Sequence, residues 1–134
     1  MQINIKTSGE NQAIVTQLTK KLTGGTKENV IARIALGYSL STGKRFTQQE
    51  FSAYDSQGKE YKDHILFDGQ YRDFYIALIC QAYGITKNDE LIPKYIKQHI
   101  DHGLEKINYL FENNPQYTFF DFLTEYFRKG IDMI

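Results

Sequence analysis

The sequence predicts a mainly α fold: a compact helical single domain with a short N-terminal strand and a ribbon-helix-helix-like start. Three observations predict it. Apolar residues recur at helical spacing through most of the chain, while strict alternation is confined to Gln2–Lys6. The only two prolines, Pro93 and Pro115, lie in the last third, so long uninterrupted helices can form. At 134 residues, 41% hydrophobic and 14% aromatic, the chain has the size and composition of one domain, 1–134, that buries a real core.

In Gln2–Lys6, Ile3 and Ile5 face one way and Gln2, Asn4 and Lys6 the other, which makes a half-buried strand. Ser8 is placed to cap a helix with Glu10 in its first turn. Ile14, Leu18 and Leu22, with Val15 alongside, give that helix an apolar stripe, and Gly24-Gly25 ends it. Thr26 then caps a second helix with Asn29 at its third position. This helix is apolar nearly all round (Val30, Ile31, Ile34, Ala35, Leu36, Tyr38, Leu40) and should be central.

The order strand, helix, glycine turn, helix over residues 1–42 is that of a ribbon-helix-helix. There two strands pair across a dimer and enter the major groove; Gln2, Asn4 and Lys6 would face the bases. Residues 43–72 read as a long polar connection, with a short helix near 47–53 and a hairpin around Gln57-Gly58. Residues 73–134 form the helical remainder. A helix from Tyr71 to Tyr83 reads as buried and stops at Gly84. A long helix from Asp89 tolerates Pro93 in its first turn and carries Ile92, Ile96, Ile100, Leu104, Ile107 and Leu110/Phe111 on one stripe. A last helix, Thr118 to Lys129, carries Phe119, Phe122, Leu123, Tyr126 and Phe127.

Composition narrows the function. No apolar run approaches the roughly 20 residues of a membrane span, and the N-terminus lacks the basic and apolar regions of a signal peptide, so a cytoplasmic location is expected. Cys80 is the single cysteine and reads as a small buried hydrophobe. Net charge is zero, but residues 1–62 carry nine Lys/Arg against five acids (+4) and residues 63–134 seven against eleven (−4). Such a polarised field favours one face for polyanions.

The stretch "KKLTGGTKENV" at Lys20–Val30 resembles a nucleotide loop only in isolation. A Walker A motif needs a preceding strand and a serine or threonine after its lysine; here the glycines follow a helix and Glu28 follows Lys27. Backbone amides near Thr26 still suit an anion such as a DNA phosphate. The imidazoles of His99 and His102, three apart and with Asp101 between them, invite a metal reading, but no third ligand has defined spacing and the histidines read better as structural or interface residues. No catalytic residues, metal site or cofactor are expected.

Read together, three segments are more specific: "LTGGTKENVIARIALGYSLS", "DSQGKEYKDHILFDGQYRDFYIALICQ" and "YIKQHIDHGLEKINYL". The markers are the start of the second helix (Gly25, Thr26, Arg33, Ala35), the turn at Asp55–Glu60, and the His99–Gly103 element. In this order they resemble the DndE family of bacterial DNA phosphorothioation (sulfur modification) systems, over roughly residues 14–112. The resemblance implies a small subunit that is not an enzyme. It would bind duplex DNA, nicked duplex included, through a lysine-rich surface of a homo-oligomer, with tetramers known. DndC- and DndD-like subunits would be its partners, and the sulfur chemistry would belong to other components.

Phosphate contacts from lysine are sequence-blind, and Lys20, Lys21, Lys27, Lys59, Lys62 and Lys6 are the candidates, with Lys44 and Arg45 behind them. Gly24 and Gly25 permit close approach of a neighbouring subunit and are the candidate oligomer contact. Three rivals stand beside this reading: a dimeric ribbon-helix-helix repressor or antitoxin, a small metal-dependent nuclease using His99, Asp101 and His102, and a protein–protein adaptor.

Overall fold

A computed structural model describes residues 2–23 and 27–132. In chain order the elements are β1 (Ile5–Lys6), α1 (Gly9–Thr23), α2 (Glu28–Ser41), a 3-10 segment (Gln48–Ser52), β2 (Glu60–Tyr61), α3 (Asp63–Leu66), α4 (Arg72–Tyr83), α5 (Ile92–Glu112) and α6 (Phe119–Asp132).

The core forms on α5, whose stripe Ile92, Ile96, Ile100, Leu104, Ile107 and Phe111 is buried along its whole length. It meets Ile31, Ala35 and Leu36 of α2 and Val15, Leu18 and Leu22 of α1 in one continuous cluster. Full burial of each aliphatic side chain is worth about 1.5–3 kcal/mol, so this stripe is the main source of stability. The contact of α2 with α5 is the most extensive in the molecule. It is close because α5 has no side chain at Gly103: a Cβ there would fall on the carbonyl of Ala35.

One buried carboxylate fixes α1 against α5. Asp101 Oδ1 accepts the Ser8 amide (2.9 Å) and Asn11 Nδ2 (2.8 Å), and its Oδ2 accepts Lys97 Nζ (2.6 Å) from one turn earlier. A buried carboxylate needs such partners, since an unpaired charge in the interior is costly. Ser8 is also the cap that the sequence suggests, its Oγ accepting the Glu10 amide at 3.3 Å.

The N-terminal strand alternates as expected, with Ile3 and Ile5 buried and Gln2, Asn4 and Lys6 exposed. Its partner is different. β1 pairs antiparallel with β2 of the same chain, Ile5 opposite Tyr61 and Lys6 opposite Glu60. The expected hairpin at Gln57-Gly58 is absent, because this turn lies against the start of α1. Asp55 Oδ1 accepts the Gly9 amide (2.8 Å), the Gly58 amide donates to Thr7 O (2.9 Å), and a Cβ at Gly58 would strike Ser8 O.

Residues 43–72 are more structured than a connection. The 3-10 segment replaces the short helix near 47–53, with Glu50 Oε1 accepting the Thr47 amide at 3.0 Å. β2 and α3 follow. α2 opens one residue later than expected, with Lys27 in the capping position, and Asn29 Nδ2 donates to Ile65 O (3.1 Å) instead. Thr26, Gly24 and Gly25 lie outside the described residues.

α4 ends at Gly84 in the left-handed conformation (φ 65°), as its position suggests. It is not a buried helix: only Ile76 and Ile79 are fully covered, and Phe74 is 60% exposed. It lies at the edge of the molecule because α1 and α2 already occupy much of α5. α5 starts at Ile92, three residues beyond Asp89, whose carboxylate accepts the Leu91 amide (2.8 Å). In α6, Phe122 is buried between Tyr38 and Phe111, whereas Phe127 is exposed.

Gly103→Ala should destabilise the fold by about 3 kcal/mol or more, since backbone cannot yield as a side chain does. Urea unfolding measures it; a loss under about 1 kcal/mol would show that α2 and α5 separate easily.

Candidate nucleic-acid interface

The six predicted lysines are all exposed. Four are brought together where α2 begins beside the two strands. Lys27 stands at the cap of α2, and the next residue, Glu28, pairs with Lys59 (3.2 Å). Lys59 precedes Glu60, which lies opposite Lys6 in the sheet. Lys62 follows β2 at the cap of α3. Lys20 and Lys21 occupy the last turn of α1, with Lys21 Nζ 5.7 Å from the Phe111 ring centroid. Lys21 and Lys27 are six positions apart, so their Cα atoms lie within about 20 Å of each other.

Six lysines against Glu28 and Glu60 leave this group at +4. The Lys59–Glu28 pair is half exposed, so it contributes little to stability. No sequence signal announces this pair, whose members are 31 positions apart.

Lys44 and Arg45 do not join the group. They follow the far end of the 14-residue α2, about 20 Å away at 1.5 Å per residue. Lys44 is paired with Glu50 (3.1 Å) and Arg45 donates to Lys44 O (2.8 Å). Arg33 is held inward: its guanidinium donates to Leu66 O (2.6 Å) and lies over Tyr71.

The two histidines form a different feature. Ser39 Oγ lies 2.7 Å from Nδ1 of both His99 and His102, and His99 Nε2 lies 2.7 Å from Tyr83 Oη, which accepts the Phe46 amide (2.9 Å). Burial, reinforced by Arg45, His102 and Lys44, pushes His99 down to about 3. Burial, then Lys106 and Lys44, lowers His102 as well. Asp101 points away from both, into its contacts with α1 and Lys97. The three residues of the nuclease rival therefore do not converge. No cluster of three or more metal-ligating side chains occurs among the described residues. Cys80 is partly buried against the core. Among the described residues, no helix is long and apolar enough to cross a membrane.

Residues 4–114, which are 111 of the 134, match the family described as DNA sulphur modification protein DndE. The chain belongs to the DndE family. Its place is therefore in DNA sulfur modification, alongside the other components of such a system. No match is found among curated proteins. The family match is wider at both ends than the resemblance drawn from the segments, and it stops before α6.

Among the described residues, the geometry explains several of the DndE markers as packing devices. Ala35 and Gly103 meet at the α2–α5 contact. Asp55 and Gly58 clamp the turn onto α1. Arg33 holds the end of α3.

A histidine kept neutral by burial makes stability pH-dependent. The folded pKa of His99 lies below the unfolded value of about 6.5, so its contribution is complete above that pH and is lost on acidification toward about 3. The expected loss is about 1.4 kcal/mol per pH unit in that window. Urea midpoints at several pH values check it, and His99→Gln should flatten the slope; an unchanged slope refutes the assignment.

Proposed function

We propose that this DndE-family chain is the DNA-binding accessory subunit of a bacterial phosphorothioation system, without an active site of its own. It works as a homo-oligomer, a tetramer in this reading, in the cytoplasm with DndC- and DndD-like subunits. The observation that carries the proposal is the group Lys6, Lys27, Lys59 and Lys62 around the start of α2, with Lys20 and Lys21 at the end of α1.

Lysines anchored on neighbouring elements present several positive charges over one surface, which suits a phosphate backbone. A single protomer offers few contacts and is neutral overall, so its affinity is low. An oligomer sets several copies of the group on one duplex and raises affinity through effective concentration. Contacts of this type read no bases, so intact, nicked and random duplexes should all bind.

Binding to these three duplexes at two salt concentrations tests the reading. Six phosphate contacts predict a log–log salt slope of about −5. Reversing Lys20, Lys21 and Lys27 to Glu should reduce that slope by about 3 and weaken every duplex alike. Glu28→Gln frees Lys59 and should tighten binding at low salt. The proposal fails if no duplex binds at low salt, if the triple reversal leaves affinity unchanged, or if one palindrome is strongly preferred.

A further inference from the structure

α6 lies beyond the DndE match and has two faces. Phe122 and Tyr126 pack onto Tyr38, with ring centroids 5.5 and 5.8 Å away, and Phe119 and Leu123 lie against the same core. The opposite side carries Phe120, 77% exposed, and Phe127, 64% exposed. These are seven positions apart, so they stack along one line about 10 Å long. Two large aromatics left in water on one line of one helix are not needed for the core.

We infer that this outer face of α6 pairs antiparallel with the same face of α6 in a second copy of the chain. The charge pattern selects that occupant. Asp121 stands beside Phe120 and Arg128 beside Phe127, again seven positions apart and along one edge. Turned head to tail, a second copy sets its Arg128 against Asp121 and its Asp121 against Arg128, while Phe120 meets Phe127 twice. A parallel copy would oppose like charges.

Thr124 falls at the centre. Its Oγ1 donates to Phe120 O (2.9 Å), so the hydroxyl is satisfied within the helix and a small side chain remains where the two helices approach most closely. Asp121 Oδ2 accepts the Thr118 amide (3.0 Å), which leaves its other oxygen for the arginine.

Area sets the strength. A phenylalanine buries about 150–250 Å², so two per copy cover a few hundred Å². A standard interface buries about 800 Å² per partner. The pairing is thus weak alone and shows as concentration-dependent association. It involves no DNA, and its test contains none, so it stands or falls apart from the DNA reading.

Sedimentation of the full chain over a wide concentration range tests it. The wild-type mass should rise with concentration, and Phe120→Ser with Phe127→Ser should halve the mass reached at the highest concentration. Both positions are exposed, so far-UV circular dichroism should stay unchanged. Arg128→Asp alone should weaken association, and Asp121→Arg combined with Arg128→Asp should restore it, because the swapped charges still match head to tail. A mass independent of concentration, or of the phenylalanine changes, overturns the inference. So does a double swap no better than the single change.

Discussion

The fold depends on the absence of one side chain. Gly103 lets the backbone of α5 lie against the carbonyl of Ala35 on α2. That contact sets the distance between the two helices that bury most of the core. The residues around it then divide by helical geometry. His99 and His102 face α2 and share Ser39, while Asp101, between them in sequence, faces α1 and takes the Ser8 amide. One short stretch of α5 therefore addresses both N-terminal helices, each through a different buried polar group.

The interior and exterior polar groups have separate work. Inside, each ionisable group at this crossing is neutral or paired: Asp101 with Lys97, His99 held uncharged by burial. Such groups make the packing specific, because a shifted helix would strand a carboxylate or an imidazole without a partner. Outside, the lysines near the start of α2 sit on element ends, and Lys59 pairs with the partly buried Glu28. Charge that holds the fold and charge available to a polyanion are carried by different residues.

Much of this was legible in the sequence where a long period carries the signal. The stripe from Ile92 to Phe111 spans about five turns, and the positions of Pro93 and Gly84 follow from what each residue does to a helix. The order strand–helix–helix was legible too, but not the strand's partner. β2 has two residues, too few to show alternation, and its register depends on the Asp55–Gly58 turn meeting α1. Apolar content misjudged α4, since composition says that a helix has partners to meet and not which faces meet them. The lysine candidates followed from residue type, and their grouping from contacts distant in sequence such as Lys59 with Glu28.

The two-stranded sheet has a consequence for how the chain is made. Ile5 pairs with Tyr61, 56 positions later, and the Ile3 amide is taken up by Asp63, which also holds Arg72. β1 therefore has no strand to join until the residues up to Tyr61 have been made. α1 and α2 are complete well before that point. β1 is made before its partner and closes on a scaffold built from later residues, at a loop-entropy cost to which the hydrogen bond from the Ser8 amide to Asp101 of α5 is one counterweight.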